Sequence, residues 1–212
     1  LDGSSNIDIA APIGTIFAIW KRKTSVGNET EENDYLQDGN SCIASGYVLY
    51  GSATMLMFTT KKGVHLFGLN INTNEFELVN EKVEIPATGK IYSLNQGNLA
   101  KFEKAAQKFV FENTQGDKPF SLRYIGSMVG DLYRTFLKGG IFMYPANEGE
   151  TKGKLRLLYE CIPMSLLAEQ AGGKSTTGKV RILDIQPTAL HERCAIIIGS
   201  SELVNQYIHF SN

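Results

Sequence analysis

The chain has 212 residues, 42% of them hydrophobic, and its 21 Lys and Arg against 22 Asp and Glu leave a formal net charge of -1. That length supports one sizeable apolar core or two smaller ones, and the near-neutral balance excludes the bulk positive field that drives nucleic-acid binding. No segment approaches the roughly 20 apolar residues of a membrane span, so neither nucleic acid nor membrane is expected as a partner. Cys42, Cys161 and Cys194 show no metal-ligand or redox-pair spacing, which fits a reducing, intracellular compartment.

In chain order, Leu1-Asp2-Gly3-Ser4-Ser5-Asn6-Ile7-Asp8 comes first. Its composition is that of an ordinary turn, but a carboxylate beside small oxygen and amide donors also suits a hard cation with phosphate. Ile13 to Trp20 reads as a buried strand, and the polar run from about Lys23 to Ser41 as a surface loop. Met55 to Thr60, Val64 to Leu69 and Phe76 to Val79 read as strands separated by turns at Lys62-Gly63 and Asn72-Thr73-Asn74, with a further strand at Ile91 to Leu94. Lys101 to Asn113 has helical spacing, with Phe102, Ala105, Ala106, Phe109 and Val110 on one face.

A second helix is predicted from Ser127 to Leu137, stopped by Gly139-Gly140, followed by a strand at Ile141 to Tyr144. Tyr159 to Ala171 reads as a helix that begins near Glu160, because Pro163 is tolerated only in a first turn. Gly172-Gly173 ends it, Ala195 to Gly199 is an apolar strand, and Glu202 to Phe210 a terminal helix. There is no internal repeat. A strand-rich first half followed by alternating helix and strand predicts a layered α/β architecture, a mixed β-sheet flanked by helices.

The order of the opening residues carries more than their composition. Leu1 to Asp8 resembles the metal-binding signature of the fructose-1,6-bisphosphatase family, and further matches follow in sequence. They are Gly14-Thr15-Ile16-Phe17, GYVLYGSATM from Gly46, IYSLNQG from Ile91, RYIGSM from Arg123, GGIFMYPAN from Gly139 and GKLRLLYEC from Gly153. The resemblance implies a layered sugar phosphatase fold to which residues 1–212 contribute the carboxyl-terminal part. The AMP site, the other metal ligands and the group that activates water would lie upstream of Leu1, and the chain by itself is expected to be inactive.

The implied activity is magnesium-dependent hydrolysis of the 1-phosphate of fructose 1,6-bisphosphate to fructose 6-phosphate and phosphate, in gluconeogenesis, with manganese or zinc as alternative metals. The family's plastid members carry a cysteine-bearing insertion where residues 23–41 here have none, so the resemblance points to the cytoplasmic type and to a homo-oligomer, a tetramer. The alternatives are a sedoheptulose-1,7-bisphosphatase, or a non-catalytic anion-binding module.

Carried over residue by residue, the resemblance assigns the metal to the Leu1 carbonyl, Asp2 and Glu160, with Asp2 and Glu160 as the catalytic carboxylates. It assigns the cleaved phosphate to Asp2, Gly3, Ser4 and Ser5, and the uncleaved phosphate to Asn95, Arg123, Tyr124 and Tyr144. Lys154 falls at the sugar and phosphate, and Met128 packs nearby. Glu160 has a simpler reading as a carboxylate favoured at a helix N-terminus, and tyrosines in apolar segments are most often core residues with a satisfied hydroxyl. Asn98 departs from the tyrosine that the family often has there. His65, His191 and His209 are isolated, and Gly172-Gly173-Lys174-Ser175 lacks the first glycine of a phosphate loop and follows a helix.

Overall fold

The computed structural model describes residues 1–212. The first half builds an antiparallel sheet from β1 (Ile13–Trp20), β2 (Cys42–Tyr50), β3 (Thr54–Thr59), β4 (Val64–Asn70) and β5 (Glu75–Asn80), paired in that order, with a short helix α1 (Glu32–Tyr35) between β1 and β2. The turns fall at the expected residues: Gly63 and Asn74 have φ of 88° and 58°, the left-handed region that glycine and asparagine enter most readily.

The second half runs β6 (Ile91–Ser93), α2 (Lys104–Thr114), β7 (Ser121–Leu122), α3 (Met128–Lys138), β8 (Ile141–Tyr144), β9 (Leu155–Arg156), α4 (Ile162–Gln170), β10 (Lys174–Thr176), β11 (Arg193–Cys194), β12 (Ile196–Gly199) and α5 (Ser201–Ser211). Its sheet has the order β10-β12-β8-β6-β7, parallel across β8, β6 and β7 and antiparallel at β12 and β10. β9 and β11 form a separate two-stranded ribbon.

Alternation along the central strands explains the layering. Phe142, Ile196 and Ile198 belong to one buried cluster with residues of the first sheet, α3 and α4, whereas Ile141, Met143 and Ile197 belong to a second cluster with α2 and α5. Side chains two apart share a face, so a continuous apolar run is what a strand buried on both sides requires. The stack is therefore first sheet, α3 and α4, second sheet, then α2 and α5. No helix is long and apolar enough to cross a membrane.

The structure departs from the expected elements in two places that matter. β2, read only as a motif, is a full strand between β1 and β3. Gly46 interrupts its strand-forming residues because a Cβ there would stand 2.6 Å from Phe17 and 2.7 Å from the Met57 carbonyl. The helix expected from Tyr159 begins at Ile162, with Pro163 in its first turn, and Leu157–Cys161 form a wider π-turn that carries Glu160.

The outer helical layer rests on Phe109, which is fully buried and has ring centroids of Phe120, Tyr207 and Phe210 at 6.0 to 6.5 Å. Phe109→Ala is expected to lower unfolding stability by about 3–5 kcal/mol, read as a reduced midpoint in urea denaturation.

Candidate functional site

Asp2 is fixed to β1 by a reciprocal pair of backbone bonds, its amide donating to the Gly14 carbonyl at 2.7 Å and its carbonyl accepting from the Gly14 amide at 3.0 Å. Gly3 then turns the chain with φ of 74°, and a Cβ there would lie 3.0 Å from the Ser127 side chain. This turn presses the opening loop against the start of α3. Asp2 Oδ2 accepts from Ser127 Oγ and from the Val129 amide, each at 3.0 Å. Ser127 is the N-cap residue of α3 but makes no capping bond itself; Asp2 takes that role from across the site.

Asp2, Gly3, Ser4 and Ser5 line a cavity of about 210 Å³ together with Tyr124, Met128 and Tyr144, and Ser127, Phe142 and Leu155 complete much of its wall. The amides of Ser4 and Ser5 have no protein acceptor. Asp2 is shared with a smaller cavity of about 60 Å³, lined also by Leu1, Ile16, Tyr159 and Glu160. Glu160 Oε2 folds back to accept the Arg156 amide at 2.5 Å, capping the π-turn. The Met128 amide also approaches the Asp2 carboxylate, and the second oxygen of each carboxylate, Asp2 Oδ1 and Glu160 Oε1, is the one left available to a ligand.

Burial pushes the pKa of both carboxyls up; the Val129 and Ser127 bonds partly offset this for Asp2, while the Asp2 charge adds to it for Glu160. Tyr124 is pushed up to about 12, by burial first and then by Tyr144, Asp131 and Asp2, so its hydroxyl is a neutral donor at any physiological pH. No lysine, arginine, histidine or cysteine lines either cavity, and no cluster of three or more His, Cys, Asp or Glu side chains occurs.

The remaining expected residues lie outside these cavities. Asn95 is exposed ahead of the Gln96–Lys101 turn. Arg123 is exposed too, its Nη1 donating to the Leu122 carbonyl at 2.8 Å, and Lys154 is exposed beside β9. Sequence reasoning missed Ser127, whose signal is a hydroxyl before a helix, and the Asp131–Arg134 pair, whose signal is i,i+3 spacing.

Two family models match the chain: fructose-1-6-bisphosphatase, N-terminal domain, over residues 1–81, and fructose-1-6-bisphosphatase, C-terminal domain, over residues 85–212. The division falls between β5 and β6, where the first sheet gives way to the second.

The dual use of Asp2 separates its charge from its capping. Asp2→Asn keeps an acceptor for Ser127 and Val129, whereas Asp2→Ala is expected to lose about 1–2 kcal/mol of unfolding stability. Because the folded pKa of Asp2 is raised, its contribution is present below the unfolded value near 3.8 and is lost as pH rises through the folded value. Without divalent cations, Asp2→Asn should therefore gain stability relative to the wild type as pH rises to 7, measured by urea unfolding at a series of pH values.

Proposed function

The chain belongs to the fructose-1,6-bisphosphatase family, and we propose that it binds fructose 1,6-bisphosphate and carries part of the apparatus that hydrolyses the 1-phosphate. The family's enzymes are metal-dependent phosphatases. One observation carries the finer reading: two carboxylates, Asp2 buried and Glu160 half-buried, reach one cavity beside a polar pocket, and no cationic side chain lines either. A phosphate dianion is repelled there unless divalent cations stand between.

The donor set fits such cations. Asp2 Oδ1, Glu160 Oε1 and the Leu1 carbonyl would be the protein ligands, all hard oxygens, which suits magnesium completed by water and substrate phosphate. Manganese accepts the same set, whereas zinc is favoured by the imidazole and thiolate ligands that these walls lack. Bound divalent cations would polarise the phosphoryl oxygens, generate hydroxide from water and neutralise the leaving sugar oxygen.

The rest of the chemistry belongs to the chain. The Ser4 and Ser5 amides and hydroxyls are placed to donate to the phosphate that is cleaved. The hydroxyls of Tyr124 and Tyr144 donate to the uncleaved phosphate, with Asn95 and Lys154 approaching from the exposed rim. Arg123 stands on the surface, away from its own chain's cavity, which supports a homo-oligomer, a tetramer in this reading, whose subunits lend Arg123 to one another. The proposed substrate places the reaction in gluconeogenesis, and the absence of a cysteine between residues 23 and 41 supports the cytoplasmic type.

In the full-length enzyme, Glu160→Gln and Asp2→Asn are expected to lower turnover on fructose 1,6-bisphosphate by about 100-fold or more, equivalent to about 2.7 kcal/mol, with the fold intact by circular dichroism. Unchanged magnesium dependence in both variants would remove them from the site. The sharing of Arg123 has its own test in subunit mixing. Arg123→Ala and Tyr144→Phe enzymes are each expected to show a KM raised tenfold or more, and mixed oligomers should regain activity, because a chain with Tyr144 intact borrows Arg123 from its neighbour. Verified mixed oligomers with no recovery would refute the shared site.

A further inference from the structure

Asp131 and Arg134 stand about one turn apart on α3, 2.7 Å apart, with the Asp131 side chain fully buried. A solvated pair at this spacing contributes little, but this one has further partners. Both Asp131 oxygens accept the Ile125 amide, at 3.2 and 3.0 Å. Arg134 Nη2 donates to Ser93 Oγ at 2.7 Å and to the Arg123 carbonyl at 2.8 Å. The pair thus grips the backbone on both sides of Tyr124, and also the end of β6 that leads to Asn95.

The orientation of the guanidinium is informative. Nη2 has two protons and faces three oxygens, while Nε is buried without a partner. A buried donor left unsatisfied carries a cost, which the three short bonds at Nη2 offset. What this orientation achieves is a single anchor for β6, the loop and α3. The first turn of the same helix holds Asp2, so α3 spans from the carboxylate of one cavity to the loop that carries Tyr124.

We infer that Arg134, held by Asp131, is a positioning residue for recognition of the uncleaved phosphate: it sets where Tyr124 and Arg123 stand, favours bisphosphates over monophosphates, and takes no part in the hydrolytic step. This rests on the functional reading above. A loop tied down on both sides of Tyr124 presents its donors to a dianion with less ordering on binding. Loss of the anchor therefore weakens binding of the second phosphate and leaves the metal-centred chemistry at Asp2 and Glu160 unchanged.

The test compares fructose 1,6-bisphosphate with fructose 1-phosphate in the full-length enzyme at saturating magnesium. Asp131→Asn/Arg134→Met removes both charges together, so no buried ion is left unpaired. The expected result is a KM for the bisphosphate raised tenfold or more, kcat within threefold, and kcat/KM for fructose 1-phosphate within threefold of wild type. A merely structural lesion would depress both substrates alike, and that outcome overturns the inference, as does an unchanged KM in the folded double variant. Should the double variant not fold, Ser93→Ala deletes only the tether to β6 and is read in the same way: a bisphosphate-specific rise in KM of threefold or more supports the anchor, and no rise overturns it. Wild-type enzyme without any preference for the bisphosphate overturns the functional reading itself, whereas a preference that survives in the double variant overturns only the role of Arg134.

Discussion

The bond network between the Asp2 carboxylate and the start of α3 is the constraint on which the rest of the site depends. The first amides of a helix have no intrahelical acceptor, and at α3 the expected cap, Ser127, turns its hydroxyl towards Asp2. The helix is thereby completed by a residue of the opening loop. The loop in turn cannot drift, because Asp2 is paired to Gly14 through both of its backbone groups and Gly3 admits no side chain beside Ser127. One carboxylate oxygen, Oδ2, supplies both of these structural bonds, and Oδ1 takes no part in them.

Glu160 repeats the arrangement on a second helical terminus. Its Oε2 caps the π-turn at the Arg156 amide, and its other oxygen is unbonded. The two simple readings of the sequence, a turn residue at Asp2 and a helix-end carboxylate at Glu160, are therefore both correct as far as they go. The free oxygens are what they leave unexplained. Burial and the Asp2 charge raise the pKa of the half-buried Glu160, only partly offset by Arg156 and the terminal amine, and with no cationic side chain in its walls the cavity is short of positive charge. Such a deficit disfavours the folded state unless a cation relieves it, which links metal affinity to stability in one group of atoms. The π-turn contributes by geometry: π-turns are rare and recur at functional sites, and this one sets Glu160 ahead of α4, facing Asp2.

Much of the fold was legible because its strongest signals are periodic. The face of α2 with Ala105, Ala106, Phe109 and Val110 is buried as its spacing demands, and the apolar runs of β8 and β12 announce strands covered on both sides. β2 was obscured by Gly46, whose reason is the Phe17 ring of the neighbouring strand, a tertiary fact absent from local pattern. The short strands β7, β9, β10 and β11 span two or three residues each, below the length at which alternation can be read. In the candidate site, the order of residues in the Asp2 loop and before Cys161 singled out two carboxylates that the fold brings to one cavity. Asp131 and Arg134 did not stand out, since an i,i+3 pair in sequence looks the same whether it is solvated or, as here, turned inward onto a loop.

The layers also explain why the site cannot belong to either half of the chain. The match to the N-terminal domain ends at residue 81 and that to the C-terminal domain begins at residue 85, yet Asp2, Ser4 and Ser5 come from the first and Tyr124, Met128, Tyr144 and Glu160 from the second. The distance between the two sets is fixed where β1 lies on α3. At Gly14 a Cβ would stand 2.5 Å from the Val48 carbonyl and 2.7 Å from a Val129 methyl, so the strand approaches the helix as closely as a bare backbone allows. Gly14 is also the residue that pairs with Asp2, and Val129 is the residue whose amide Asp2 accepts. Any side chain at position 14 would separate the same two groups that Asp2 joins, moving the Asp2 carboxylate away from the loop that carries Tyr124. Close packing between the layers and placement of the reactive groups are one requirement here, met at one glycine.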